Sequence, residues 1–491
     1  MAIKLIDLAR TFLPLLPEVE VPFEKITFDD KVVYTIFSAL IYLFAQFPLV
    51  GLPKETAPGT QVNDPLYFLR GVFAAEPKTL LEFGIFPNVA SALILQLLAG
   101  LKVIKVNFKN QKDRELFQTL IKLFALFQYF ILANIFIYSG YYGQNLSIVQ
   151  VGLINLQLCG AGLVTTLISE VVDKGFGFSS GMMVINTVSI ATNLVSDTLG
   201  ISQISVDEDN NTEPQGSLIN LIQSFRAKHR SLLEGIISAF NRDYLPNLTT
   251  TVIVLGIAAV ICYLQSVRME LAIRSTRARG MSNIYPIRLL YVGCLSVLFS
   301  YVILFYIHIG AFTLIQLIAK NNIENPICKV LGHYDMVNNL LAVPSFPLSL
   351  LTPPRSLLSS ITEQPLTLIT YTIFMVATGV YFADKWQEIS GSSARDVAAE
   401  FKEQGITLNG RREQSVAKEL NKVIPVAAKT GAAILAAITV CGELLGLKGK
   451  AAGIVVGVAG GFSLLELITL DYQQSGGQSA LTQVLGAPMG M

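Results

Sequence analysis

The chain is 491 residues long, with 52% hydrophobic and 14% charged residues and a formal net charge of +1. Soluble globular proteins carry about 25% charged residues, so this composition, with a mean hydropathy of +0.54, excludes an ordinary soluble domain and indicates a multi-pass membrane protein. The near-zero net charge makes no case for nucleic-acid binding from the total, and five cysteines without a CxxC pair support neither a disulfide framework nor a zinc site.

In chain order, residues 1–22 (MAIKLIDLARTFLPLLPEVEVP) mix charged and apolar positions and are interrupted by Pro14 and Pro17. No small-residue cleavage site follows a basic region, so a surface-lying amphipathic segment is expected in place of a removable signal. Ten apolar runs follow, near 32–52, 84–100, 115–138, 148–170, 179–196, 246–266, 289–312, 366–384, 423–441 and 451–470. The fifth and ninth are weak, being rich in Thr, Ser, Asn or Ala.

The stretch 64–100 organises the rest. It opens as a short amphipathic helix with Arg70 and Glu76 on one side, breaks, and re-forms at Gly84 as an apolar run. That run is about 17 residues, the lower limit for a bilayer crossing. Broken backbone at membrane depth is tolerated only where protein or a water-filled cavity surrounds it. The stretch therefore reads as the wall and floor of a pathway.

Charge in the loops sets orientation. The second-to-third loop carries Lys102, Lys105, Lys109, Lys112 and Arg114 against Asp113 and Glu115. The sixth-to-seventh carries Arg268, Arg274, Arg277, Arg279 and Arg288 against Glu270, and the eighth-to-ninth adds Lys385, Arg395, Lys402, Arg411, Arg412 and Lys418 among comparable acid. All lie on one side, which the positive-inside rule makes cytosolic, with both termini. The Asn-x-Ser/Thr sequons at Asn145, Asn210 and Asn247 fall on the opposite side. Residues 340–354 (LLAVPSFPLSLLTPP) are apolar but proline-broken and are expected to pack on that opposite face without crossing. SARDVAAEFKEQ predicts a helix that stops at Gly405. Division near residue 240 leaves five spans on each side; an odd number gives halves of inverted topology, a plan shared with secondary transporters.

Several motifs then carry a resemblance: NDPLYFLR (63–70), KDRELFQ (112–118), DKGFGFSSGMM (173–183), AIRSTRARG (272–280), IYPIRLLY (284–291) and WQEISGSSARDVAAEFKEQGITLNGRRE (386–413). Together they resemble the SecY and Sec sixty-one alpha family, the large subunit of the protein-conducting channel, closest in pattern to a paralogous fungal branch. The likeness runs from about residue 5 to 470.

The resemblance implies an all-α polytopic membrane protein with ten transmembrane helices in two inverted five-helix halves forming a clamshell channel. By chain segment it implies a cytosolic N-terminus (1–31), a first half (32–240) with a plug near 60–75, a second half (241–470) and a cytosolic tail (471–491). The pore ring would be Ile85, Val89, Met182, Asn186, Leu298 and Val456, and the plug would include Asp64, Leu66, Phe68, Leu69 and Arg70. Asn186 departs from a wholly apolar ring. The lateral gate would pass between spans 2 and 3 and spans 7 and 8. Its family Gln and Asn positions read here as Leu132 and Tyr306, a departure from the family's polar gate contact. Arg274, Arg277, Arg279, Arg411 and Arg412 would meet ribosomal RNA, because arginine pairs bidentately with phosphate. Implied partners are small gamma-type and beta-type subunits (a heterotrimer), the ribosome, nascent polypeptides with their signal sequences, and lipid, all in the endoplasmic reticulum membrane.

An apolar ring seals against ions by dewetting and grips a passing chain weakly. No enzyme is expected. GFGFSSG (175–181) lacks the lysine of a nucleotide loop, and His229, His308 and His333 form no HExxH, so no cofactor or metal is expected. The alternative is a secondary transporter of a small solute; span centres nearly free of charge favour the channel.

Overall fold

A computed structural model describes residues 5–14, 16–53, 64, 66–108, 110–143, 146–205, 212–226, 240, 246–275, 282–318, 320, 325–337, 341–354, 356–362, 364–408, 413–447 and 449–475. The calls at Arg277, Arg279, Arg411, Arg412, Asn145 and Asn210, and the plug positions 60–63 and 65, lie outside the described residues.

Each of the ten apolar runs forms a helix. The helices are α1 (Leu5–Phe12), α2 (Phe28–Phe44), α3 (Tyr67–Arg70), α4 (Phe86–Gly100), α5 (Gln111–Tyr138), α6 (Ile148–Val171), α7 (Gly181–Leu199) and α8 (Ser217–Arg226). They continue with α9 (Leu248–Ser266), α10 (Leu295–Thr313), α11 (Pro326–Leu331), α12 (Leu357–Thr362), α13 (Pro365–Ile389), α14 (Ala394–Gln404), α15 (Glu413–Gly442) and α16 (Ala451–Gln474). The spans are α2, α4, α5, α6, α7, α9, α10, α13, α15 and α16. Among the described residues, seven of them are each long and apolar enough to cross a membrane by themselves. The other three have local reasons. The α2 helix has 17 residues, α4 has 15, and α7 is interrupted by Asn186, Thr187, Ser189, Thr192 and Asn193. At 1.5 Å per residue α4 covers roughly 22 Å of a hydrocarbon layer about 30 Å thick, and turns precede it over 71–85.

Capping explains several boundaries. Thr27 accepts from the Asp30 amide at 3.3 Å, and Asp29 and Asp30 occupy the first turn of α2, so this helix starts before its apolar run. Ser393 caps α14 and accepts from the Asp396 amide, and Gly405 ends it at φ +67°, as the sequence predicts. The 340–354 segment forms no spanning helix: it supplies β6 (Leu341–Pro344) and a short 3-10 turn, Leu348–Leu351.

The two halves meet along two seams. On one, α7 packs closely on α16: a Cβ at Gly457 would lie 2.8 Å from Ile190, and one at Gly460 would lie 2.7 Å from Thr187. Lys31 on α2 also pairs with Asp471 on α16 at 3.1 Å. On the other seam, α4 faces α10 and α13.

The arginine-bearing loop is a hairpin, β3 (Arg268–Ser275) with β4 (Ser282–Arg288). A third strand, β7 (Ile406–Leu408), joins β3 with Ile273 opposite Leu408. Ile273, Ile287, Val397, Phe401, Leu408, Leu420 and Ile424 form a separate apolar core beneath this sheet. The two cytosol-assigned loops are therefore one platform. Short hairpins β1 (Gln203–Ser205) with β2 (Thr212–Pro214), and β5 (Tyr334–Val337) with β6, complete the described strands.

Gly84 sits at the break before α4 with φ +51°, and a Cβ there would lie 2.1 Å from the Phe73 carbonyl oxygen. Gly84→Val is predicted to destabilise the fold by about 2 kcal/mol or more, from left-handed strain and displacement of the turn. Gly71→Ala, with open space around its Cβ, should change little; thermal unfolding in detergent compares the two.

Candidate channel constriction, plug and gate

The candidate plug turns on Arg70. Among the described residues of this stretch only 67–70 are helical, so the expected amphipathic helix is shorter than the sequence suggests and Arg70 does not share a face with Glu76. Instead Arg70 is buried, and its Nε donates to Asp64. Its Nη2 donates to Asp64 Oδ1 at 3.1 Å, to Glu82 Oε1 at 2.6 Å and to the Tyr141 hydroxyl at 3.2 Å. Its Nη1 donates to the Glu82 carbonyl at 2.7 Å. The second Glu82 oxygen accepts from the Lys78 amide at 2.5 Å. Burial disfavours the charged guanidinium, yet Asp64 and Glu82 hold its pKa well above the ordinary arginine value. Burial pushes the Glu82 carboxyl up, against the pull of Arg70.

This network ties the candidate plug helix to the turn before α4 and to the turn after α5. Around it the plug is apolar: Leu66, Phe68, Leu69, Val72 and Phe73 are all buried. Phe68 stands edge-on to His308 of α10 at 5.0 Å. The start of α16 supplies glycine where the plug touches it. A Cβ at Gly449 would lie 2.6 Å from Phe68, and one at Gly453 would lie 2.5 Å from the Gly71 carbonyl.

The candidate ring residues come from four spans. Ile85 precedes α4 and Val89 lies one turn on; Met182 and Asn186 are one turn apart on α7; Leu298 is on α10 and Val456 on α16. Ile85, Val89, Leu298 and Val456 share one buried apolar cluster with the plug residues, and half-buried Met182 packs against it. Asn186 is 2% exposed and its Oδ1 has no hydrogen-bond partner. The spans are drawn closed: Ile85 and Val456 are each 1% exposed.

At the α4/α10 seam, sequence reasoning missed an aromatic stitch. Phe86 stacks on Phe305 with centroids 3.6 Å apart and rings inclined by 22°. Phe73 caps both rings at 5.0 and 6.2 Å, and Phe136 of α5 lies 5.8 Å from Phe312 of α10. Leu132 is buried in the same cluster. Tyr306 lies 5.4 Å from Phe86. Its hydroxyl faces the carboxamide of Gln128, one turn before Leu132 on α5, without closing a hydrogen bond of ordinary geometry. A polar pair thus stands at the seam one turn from the position the family alignment addresses.

Arg274 projects exposed from β3. It is the described member of the proposed basic docking set.

Comparisons with known proteins bear on this arrangement. The SecY family profile matches residues 79–474, and that of the plug domain of SEC61 matches 40–77. The Sec sixty-one protein homolog of Saccharomyces cerevisiae is 73% identical over 488 residues, covering 99% of each chain. The SEC61 subunit alpha of Neurospora crassa is 33% identical over 467 residues, covering 93% of this chain and 94% of that one. Among solved structures, the idle yeast Ssh1 complex bound to the yeast 80S ribosome superposes with a TM-score of 0.79 at 73% identity over 98% of both chains. A protein-conducting channel superposes at 0.74 with 22% identity, covering 94% of this chain and 97% of that one, and shares the fold.

Removing Arg70 leaves Asp64 and Glu82 buried and uncompensated. Arg70→Met is predicted to cost about 3–5 kcal/mol. The triple change Asp64→Asn, Glu82→Gln, Arg70→Met should recover part of that loss in thermal unfolding; equal loss in both would remove the network's role.

Proposed function

The chain belongs to the SecY family, and from that premise we propose how its own residues conduct and release polypeptides. It is a channel-forming subunit for protein translocation and membrane insertion, not an enzyme. Secretory chains pass the waist formed by Ile85, Val89, Met182, Asn186, Leu298 and Val456 after Leu66, Phe68, Leu69 and Arg70 are displaced with Asp64 from below it. The supporting observation is the plug helix packed in one dry cluster with the ring residues and tied by Arg70 to Asp64 and Glu82.

Dewetting at such a waist blocks ions at rest, and side chains without fixed hydrogen-bond partners grip any passing sequence weakly. Signal and transmembrane segments leave through the Phe86–Phe305 seam beside Leu132 and Tyr306. An apolar residue gains roughly 0.3–0.6 kcal/mol on reaching lipid at a span centre, so exit needs no hydrolysis. The translating ribosome supplies the force. It docks on the β3–β4–β7 platform through Arg274, Arg277, Arg279, Arg411 and Arg412, as its yeast relative is bound to a ribosome. The basic loops and both termini lie in the cytosol, with the chain in the endoplasmic reticulum membrane. Gamma-type and beta-type small subunits complete a heterotrimer, and the halves divide at about residue 240.

Membership of the SecY family argues against the transporter alternative.

A photocrosslinker at Ile85 or Met182 should capture a ribosome-stalled secretory chain. Solute flux with no capture would support the transporter. Charge reversal at Arg274 with Arg412 should lower ribosome co-sedimentation at least tenfold at moderate salt and flatten its salt dependence; unchanged binding would remove the docking assignment.

A further inference from the structure

Between the candidate plug and α4 the chain folds into a tight turn whose ends meet. The Ile85 amide donates to the Phe73 carbonyl at 2.9 Å, and the Glu76 amide donates to the Leu81 carbonyl at 3.0 Å. Two phenols grip this turn from outside it. Tyr42 of α2 donates to the Ala74 carbonyl at 2.6 Å, and Tyr129 of α5 donates to the Gly84 carbonyl at 2.7 Å. Both tyrosines are buried, so little water competes for either bond. The clamped residues are neighbours in space: a Cβ at Gly84 would lie 2.8 Å from the Ala74 oxygen. A notch in α6 receives the Tyr129 ring, because a Cβ at Gly162 would lie 2.6 Å from it. Further bonds hold the same segment to the first half. Thr166 of α6 donates to Asn88 Oδ1 at 2.9 Å, and the Leu80 amide donates to the Phe47 carbonyl at 2.9 Å. Toward α10 the segment offers Phe86 to the rings of Phe305 and Tyr306. Hydrogen bonds fix distance and direction, whereas apolar ring contacts tolerate sliding.

We propose that Tyr42 and Tyr129 are positioning residues that hold Ile85, and Val89 one turn on, at the constriction between clients. They act through the backbone of the turn. Gly84 immediately precedes Ile85, and the Val89 amide returns to the Ile85 carbonyl at 3.0 Å, so a displaced turn displaces both side chains. Removal of either hydroxyl strips a buried carbonyl of its donor, and water is the replacement partner. Water drawn to the Gly84 carbonyl lies beside Ile85 and wets a waist whose dryness is the seal. The inference rests on the channel reading and adds to it which residues outside the ring keep the ring in register.

The test records resting ionic current through the reconstituted full chain in planar bilayers, with thermal unfolding of each variant in detergent. Tyr42→Phe and Tyr129→Phe each delete one hydroxyl and keep the ring. Each should raise the resting open probability about tenfold, the order expected when one buried acceptor loses its donor. Gly162→Ala keeps the hydroxyl but displaces the ring that carries it. It should conduct like Tyr129→Phe and add little to it in combination, because both act on one bond. Tyr291→Phe is the control: its hydroxyl donates to the Ser392 carbonyl at 2.7 Å beside the platform core. It should stay as silent as the native chain even where its unfolding midpoint falls as far. Current that merely tracks the fall in midpoint, Tyr291→Phe included, would make the two tyrosines ordinary packing and overturn the assignment. Phenylalanine variants as silent as the native chain would overturn it too. Capture of a stalled secretory chain by a crosslinker at Ile85 of the native protein is measured in parallel. A native chain that captures none fails the channel reading and the clamp with it; capture with silent variants fails the clamp alone.

Discussion

One guanidinium fixes the segment packed beneath the candidate pore ring. Arg70 sits where water is scarce, and a bare charge there would cost several kcal/mol. It is tolerated because Asp64, Glu82, the Glu82 carbonyl and Tyr141 surround it. Asp64 and Arg70 belong to the proposed plug, Glu82 to the turn before α4, Tyr141 to the turn after α5. The plug's position therefore follows from a compensation requirement as well as from apolar burial. In the proposed mechanism a threading chain replaces both, and water entering the opened waist rehydrates the freed charges.

The rest of the shell distributes tightness and looseness around that point. At the α7/α16 seam, glycines let the halves approach closely, and Lys31 and Asp471 bridge them. The opposite seam is held by aromatic rings, Phe86 on Phe305 and Phe136 near Phe312, with a polar pair, Gln128 and Tyr306, that does not close. Stacked rings contribute roughly 0.5–1.5 kcal/mol each beyond their burial, and another apolar surface can replace them. That material suits the proposed lateral gate, which would part for a hydrophobic segment and re-form afterwards.

Much of this was readable from residues. The spans follow from length and hydropathy, and the two inverted halves from the count of five spans in each. What escaped has physical causes. The Arg70 network joins residues six and twelve positions away with no local periodicity. The polar gate pair escaped because the alignment pointed to Leu132, whereas Gln128 is one helical turn earlier on the same face. The platform strands were read as a charged loop. The signal was present in the alternation of Met269, Leu271 and Ile273 with charged or small neighbours, the period of a half-buried strand. The third strand could not be read, because β7 lies 133 residues from its partner across two spans.

The central claim is that the plug's apolar face closes the waist to ions. Ionic current through the reconstituted chain in planar bilayers tests it most directly, with Phe68, Leu69, Val72 and Phe73 either native or all replaced by serine. The account predicts silence from the native chain and steady conductance from the serine form. A native chain that conducts at rest, or a serine form as silent as the native one, would contradict it.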